Sequence, residues 1–210
     1  NVILRSGTGS GKTEAWVMYF LKKVKQDRGF KAIAVYPTLA LANDQIRRIT
    51  LYSRAIGANV VQLDAPHRDM YMKELGRAKL RQMISGANIV VTNPAFLLHE
   101  LKKYFIKQSS SLLESFFRKI DLIIIDELDF YGPRSLALLM AMIELLSIVS
   151  STKPQVVLLT ATLANPDELG SYLRDITGRD YVVIDGKPFH VENRLIVVLG
   201  KDLENVWKKI

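Results

Sequence analysis

Short apolar runs recur along the chain, separated by longer stretches in which apolar positions return with helical spacing. The β-branched runs predict strands over residues 2–5, 31–36, 59–63, 88–92, 121–125, 155–160, 181–184 and 195–199. Several, such as LIII at 122–125 and VVLL at 156–159, are apolar at every position. A strand with one wet face alternates, whereas a continuous apolar run suits a strand covered on both faces, as in a parallel sheet.

The intervening segments predict helices. One runs from about residue 11 to 26 and stops near Gly29; Trp16, Met18, Tyr19 and Phe20 on it suit core packing, and Lys22, Lys23 and Lys25 its solvated end. A second runs from about 41 to 56 and ends at Gly57, a residue suited to a helix C-cap. A third covers about 134–149. A fourth is announced by Asn165, Pro166 and Glu168, an N-cap residue, a proline at the first helical position and a glutamate three residues on. Residues 65–86 are polar, basic and less regular, and 104–111 read as a surface excursion. Strand–helix alternation with buried strands gives an α/β fold, a mostly parallel sheet with helices on both faces. No strong linker divides the first ~190 residues, which favours one domain.

Composition narrows the class. The 210 residues are 49% hydrophobic and 24% charged, an ordinary globular balance. No apolar run approaches the ~18–20 residues of a membrane span, and the opening residues lack the features of a secretory signal. Cysteine is absent, which fits a cytoplasmic setting and leaves no disulfide framework. The net charge of +8 favours polyanionic partners through counterion release. His67, His99 and His190 show no metal-ligand spacing. The cluster Lys73, Arg77, Lys79 and Arg81 suits either a solvated helix face or a flank for nucleic acid.

The strongest local signal is Ser6-Gly7-Thr8-Gly9-Ser10-Gly11-Lys12-Thr13, after a strand and before a helix. Glycines let the backbone curl so that successive N–H groups face phosphate oxygens, and the helix N-terminus adds partial positive charge. In such a loop Lys12 reaches the outer phosphates of ATP and the Thr13 hydroxyl binds Mg²⁺. The loop alone also serves kinases and nucleotide switches. In LIIIDELD, Asp126 ends a buried strand where it can hold Mg²⁺, Glu127 is placed as general base for the attacking water, and Asp129 follows two residues later.

In order, SGTGSGKT, YPTLALANDQ, VVTNPAFLL, DELD and LTATLANP resemble motifs I, Ia, Ic, II and III of superfamily-two helicases of the DEAD/DExH type. The likeness covers residues 6 to about 184. YPT, TNP, TATLANPDELG and the Tyr131-Gly132 after DELD are most similar to the large helicase-related proteins and the mitomycin-repair DNA helicases. The resemblance implies a RecA-like P-loop NTPase fold that binds ATP and Mg²⁺ and couples hydrolysis to movement on a strand. DNA is favoured, an RNA helicase is the alternative, and a P-loop kinase or switch and a non-catalytic binder are remoter. It further implies that Pro37, Thr38, Thr92, Asn93 and Pro94 meet a phosphodiester backbone, with the Thr38 and Thr92 hydroxyls among the donors, while Thr160, Ala161 and Thr162 couple nucleotide state to that grip.

Ser6 stands where glycine or alanine is usual, the tetrapeptide is DELD rather than DEAD or DEAH, and Thr160 replaces the commoner serine. No second motif set and no arginine-finger segment follows. The expected organisation is an ATP-binding domain over residues 1–190 and an exit strand and linker over 191–210 towards a second RecA-like domain. Alone, the chain is expected to bind Mg-nucleotide weakly and hydrolyse it very slowly. A cytoplasmic or nucleoid-associated location follows from the resemblance.

Overall fold

The computed structural model describes residues 1–7 and 9–186; Thr8, His190 and the expected strand over 195–199 lie outside them. Strands β1 (Val2–Arg5), β2 (Ala32–Val35), β3 (Val60–Gln62), β4 (Ile89–Thr92), β5 (Leu122–Ile125), β6 (Gln155–Thr160) and β7 (Val182–Asp185) form one sheet in the order β3-β4-β2-β5-β6-β1-β7. Every pairing is parallel. The helices are α1 (Lys12–Gln26), α2 (Leu39–Arg54), α3 (Ala65–Gly86), α4 (Pro94–Ile106), α5 (Glu114–Phe117), α6 (Pro133–Val149) and α7 (Pro166–Thr177).

Alternate strand residues feed two cores. Ala32, Ala34, Leu122, Ile124, Val157 and Leu159 pack against Trp16, Val17 and Phe20 of α1 and Ala42 and Ile49 of α2. Ile33, Val35, Ile123, Ile125, Val156 and Leu158 pack on the other face against α3, α4, α6 and α7. Covering both faces is why these strands are apolar throughout, and each fully buried Leu, Ile or Phe is worth ~1.5–3 kcal/mol. Met18 departs from its core expectation: it is 64% exposed, because it lies on the side of α1 away from the sheet.

Turn chemistry sets the helix ends. After α2 the Gly57 amide donates to the Arg54 carbonyl at 3.2 Å and the Ala58 amide to Ser53 at 3.0 Å. Gly57 has φ 65°, so a Schellman closure ends the helix at the glycine that the sequence marked. Asn165 precedes α7 as expected but does not cap it; its amide nitrogen donates to Glu168 at 3.3 Å. Residues 65–86 correct the irregular reading: they form α3, capped by Asp64, which accepts from His67 N at 3.0 Å. A kink at Gly76, φ 73°, breaks the periodicity that would have shown the helix.

The excursion expected over 104–111 begins later, because residues 104–106 end α4 with Tyr104 buried, and it is pinned from inside. Buried Glu100 accepts from the Ser111 hydroxyl at 2.9 Å and the Leu112 amide at 2.6 Å. Arg77 and Arg81 of α3 donate to the carbonyls of Ser109, Ser110 and Ser111. Those arginines therefore tie α3 to the excursion, while Lys73 and Lys79 stay exposed.

Candidate functional site

All the motif segments emerge from the carboxyl edge of the sheet, where open α/β folds gather ligands. The order β2-β5-β6-β1 sets the loops after those strands side by side. Just beyond β1, the Ser6 amide donates to the Thr160 carbonyl at 3.0 Å, and beyond β5 the Asp126 amide donates to Val35 at 3.1 Å.

The loop from Ser6 to Thr13 curls through Gly9 at φ 76° and Gly11 at φ 82°, a left-handed region that favours glycine. Gly11 is the N-cap of α1 and offers no capping side chain, so the first-turn amides remain donors for an anion. The Lys12 ammonium folds back onto the Ser6 carbonyl at 2.5 Å and the Gly7 carbonyl at 3.1 Å. Ser6 is buried, and its hydroxyl occupies the space that a Cβ on Gly186 would need. That close approach accommodates serine where a smaller residue is usual.

Asp126 is 2% exposed, and its Oδ2 faces the Thr13 hydroxyl at 3.4 Å. Its Oδ1 accepts from the Glu127 amide at 2.9 Å. Burial raises the Asp126 pKa to about 6 and the Glu127 charge adds to the rise, against the Glu127 amide, Lys12 and Thr13. Glu127 itself has φ 54° and ψ 51°, a conformation that costs a non-glycine residue ~1–3 kcal/mol and is typical of functional turns. Among the described residues no group of three or more His, Cys, Asp or Glu could hold a metal. A hydroxyl beside one buried carboxylate does fit Mg²⁺, which takes one or two protein oxygens and completes its shell with phosphate and water.

A cleft of about 180 Å³ lies over the loop, walled by Gly9–Thr13, Glu14 and Glu127 and, from α2, by Gln45 and Arg48. Gln45 ends the segment YPTLALANDQ, whereas Arg48 escaped the sequence reading. Tyr36 of YPT and Tyr131 after DELD have hydroxyls that are buried without partners among the described residues. Burial, then the Asp126 charge, pushes both phenols up.

Asp129 joins the acidic turn to the loop after β6. Its Oδ1 accepts from the Thr160 hydroxyl at 2.9 Å and from the Thr162 amide and hydroxyl at 2.8 and 2.6 Å. Its Oδ2 accepts from the Ala161 amide at 2.6 Å. Burial pushes this carboxyl up, but those donors outweigh it and hold the pKa below the usual range. The contact exists because β6 runs past β5, with Ile125 opposite Leu158, so Thr160 reaches the turn at Leu128–Phe130.

The expected backbone-binding residues sit along the same edge, but their side chains serve the fold. Thr38 caps α2, accepting from Leu41 N at 3.3 Å, and Asn93 caps α4, accepting from Phe96 N at 2.9 Å. The Thr92 hydroxyl corrects its expectation as a phosphate donor: it is buried and donates to the Leu63 carbonyl at 2.6 Å. Pro37 precedes the α2 cap, and Pro94 opens α4. The α2 and α4 N-termini border a second cleft, of about 320 Å³, lined by Leu39, Arg68, Asn93 and His99 among others. His67 lies nearby and pairs with Asp64 at 2.7 Å.

None of the described helices is long and apolar enough to cross a membrane. The chain is 26% identical over 188 residues to the uncharacterized ATP-dependent helicase YprA of Bacillus subtilis, covering 88% of this chain and 23% of that protein. The DUF1998 helicase MrfA, in a crystal structure bound to DNA, superposes with a TM-score of 0.65 at 25% identity, covering 89% of this chain and 25% of that one. The helicase Lhr of Mycobacterium smegmatis, bound to ssDNA and AMP-PNP, has the same fold, with a TM-score of 0.65 at 23% identity over 90% of this chain and 24% of that one. The chain thus has the RecA-like fold of helicases and spans about a quarter of the length of these relatives. Residues 1–169 match the DEAD/DEAH box helicase family, and the chain belongs to it.

Proposed function

We propose that this chain is the first ATP-binding motor domain of a larger nucleic-acid-dependent ATPase that couples ATP hydrolysis to translocation on DNA or its unwinding. Residues 1–190 make up that domain and 191–210 lead towards a second RecA-like domain, which supplies the arginine fingers. The short coverage of the relatives supports the larger protein in this reading. One continuous connection carries the reading: Thr13 meets Asp126, and three residues on Asp129 grips Thr160–Thr162. The phosphate loop and the coupling loop are thereby joined through one acidic turn.

The first-turn amides of α1 and the loop from Ser6 to Gly11, including Thr8, cradle the phosphates. Lys12 exchanges its Ser6 and Gly7 carbonyls for phosphate oxygens, a stronger charge-assisted partner. Thr13 and Asp126 hold Mg²⁺, which neutralises charge developing on the phosphates. Glu127 accepts the proton of the attacking water. Pro37, Thr38, Thr92, Asn93 and Pro94 shape the edge that meets a strand's backbone. With the Thr92 hydroxyl committed to Leu63, the free amides of the α2 and α4 N-termini make the contact.

DNA is favoured over RNA because MrfA is bound to DNA. An RNA helicase stays the second reading, since backbone amides do not distinguish the sugar. The test is ATP turnover by the full-length protein with single-stranded DNA, duplex DNA and RNA side by side. Stimulation by DNA above RNA is expected. Stimulation by RNA alone would overturn the DNA assignment, and none by any of them would overturn the motor reading.

A further inference from the structure

Helix α2 reaches the phosphate cleft at Gln45 and Arg48, three positions apart and so on one helical face. Buried Ala42 and Ile49 of the same helix anchor it to the sheet, so its place in the wall is fixed by packing. Of the cleft's lining groups, Lys12 and Arg48 are cationic, whereas Glu14 and Glu127 are anionic. Lys12 is already folded onto its own loop. Among the described residues Arg48 is held only by Glu14, at 3.4 Å, with side chains 53% and 39% exposed. A pair so open to solvent is weak and easily exchanged. Guanidinium prefers the planar, bidentate match that a phosphate offers.

A second observation points to a ligand in the same cleft. Among the described residues Gln45 Oε1 and Ser10 Oγ are both buried there without a hydrogen-bond partner. The Gln45 amide nitrogen is occupied by Asp44 at 3.3 Å, which leaves the oxygen as the free group. Buried polar atoms left unpaired are costly, and a ligand with its water shell would satisfy them.

We infer that Arg48 is a sensor of the terminal phosphate: when a nucleoside triphosphate fills the cleft, the guanidinium leaves Glu14 and pairs with the outermost phosphate. Gln45 Oε1 accepts a hydrogen bond from water held against that phosphate, on the wall it shares with Glu127. A diphosphate lacks the outer group and leaves Arg48 on Glu14. Because α2 begins at the Thr38 cap, the helix that senses the terminal phosphate also carries the loop assigned to the nucleic-acid backbone. The two nucleotide states are thus passed to that loop by one rigid element. This inference rests on the phosphate-cleft reading above.

The test is the affinity of the full-length protein for a non-hydrolysable ATP analogue and for ADP, both with Mg²⁺. For Arg48→Ala the analogue is expected to bind about tenfold more weakly, equivalent to ~1.4 kcal/mol, with ADP changed less than about twofold. Arg48→Lys should restore part of the difference, and Glu14→Gln should leave analogue binding equal or tighter. Arg48→Gln, which keeps a polar stem of similar length, repeats the measurement if the alanine variant melts early. Equal losses for both nucleotides, or no loss for either, would overturn the sensor role. Lys12→Ala separates the two claims. If it leaves both nucleotides bound, the phosphate-cleft reading itself falls; if it abolishes both while Arg48→Ala preserves the ratio, only the sensor falls.

Discussion

Asp129 holds Thr162 twice, by its amide at 2.8 Å and its hydroxyl at 2.6 Å, so the acidic turn and the loop after β6 are tied together. Asp129→Ala strips that loop of its acceptors. The network is largely solvated, which discounts its worth to about 1–2 kcal/mol of stability, measurable by urea unfolding. Nucleotide binding should survive while stimulation of turnover by nucleic acid is lost. Full stimulation in the variant would deny the coupling role.

Asp129 and Asp126 of this turn respond to pH in opposite senses. Asp129 has a lowered folded pKa, so its contribution is present above the unfolded carboxylate range, ~3.9, and is lost as pH falls through the folded value. Asp126 has a folded pKa raised to about 6, so its contribution is present below the ordinary carboxylate value of 3.8 and is lost as pH rises through about 6. In metal-free protein, Asp126→Asn should therefore be more stable than the parent at pH 7.5, by on the order of 1–3 kcal/mol, with the gain vanishing near pH 4. Urea midpoints at both pH values check this. A variant less stable at pH 7.5 would mean that the buried carboxylate is satisfied in its charged form.

Much of this site could be read directly from the chain. Continuous apolar runs located the strands, and the residues after them fell on one edge because parallel strands share a direction. What failed has local causes. Asn93-Pro94 and Thr38 were read for their chemistry, yet each is also a helix-start signal, and the fold uses the side chains that way. Helix α3 was hidden by charged residues on its solvated side and by the break at Gly76. Arg48 carries no local signal at all, and the motif wording that includes Tyr36, Gln45 and Tyr131 does not show that they line the site. They reach the site through the packing of α2 and the pairing of β2 with β5, which are tertiary facts.

Gly170 is fixed by its neighbour rather than by its backbone. A Cβ there would overlap the Tyr181 ring, which lies flush against α7 beside β7. Gly170→Ala should cost about 1–3 kcal/mol through overpacking, and Tyr181→Ala in the same chain should relieve part of that strain. Thermal melts of the single and double variants decide it. An unchanged melting temperature for Gly170→Ala would show that the ring gives way freely.

The proposed motor chemistry requires Glu127 as the base of a nucleic-acid-stimulated ATPase. The direct measurement compares Mg-ATP binding and DNA-stimulated turnover in full-length Glu127→Gln and parent protein. Binding within about twofold of the parent, with turnover reduced ~10²–10⁴-fold, is the predicted result. Turnover at the parent rate with binding intact would contradict it.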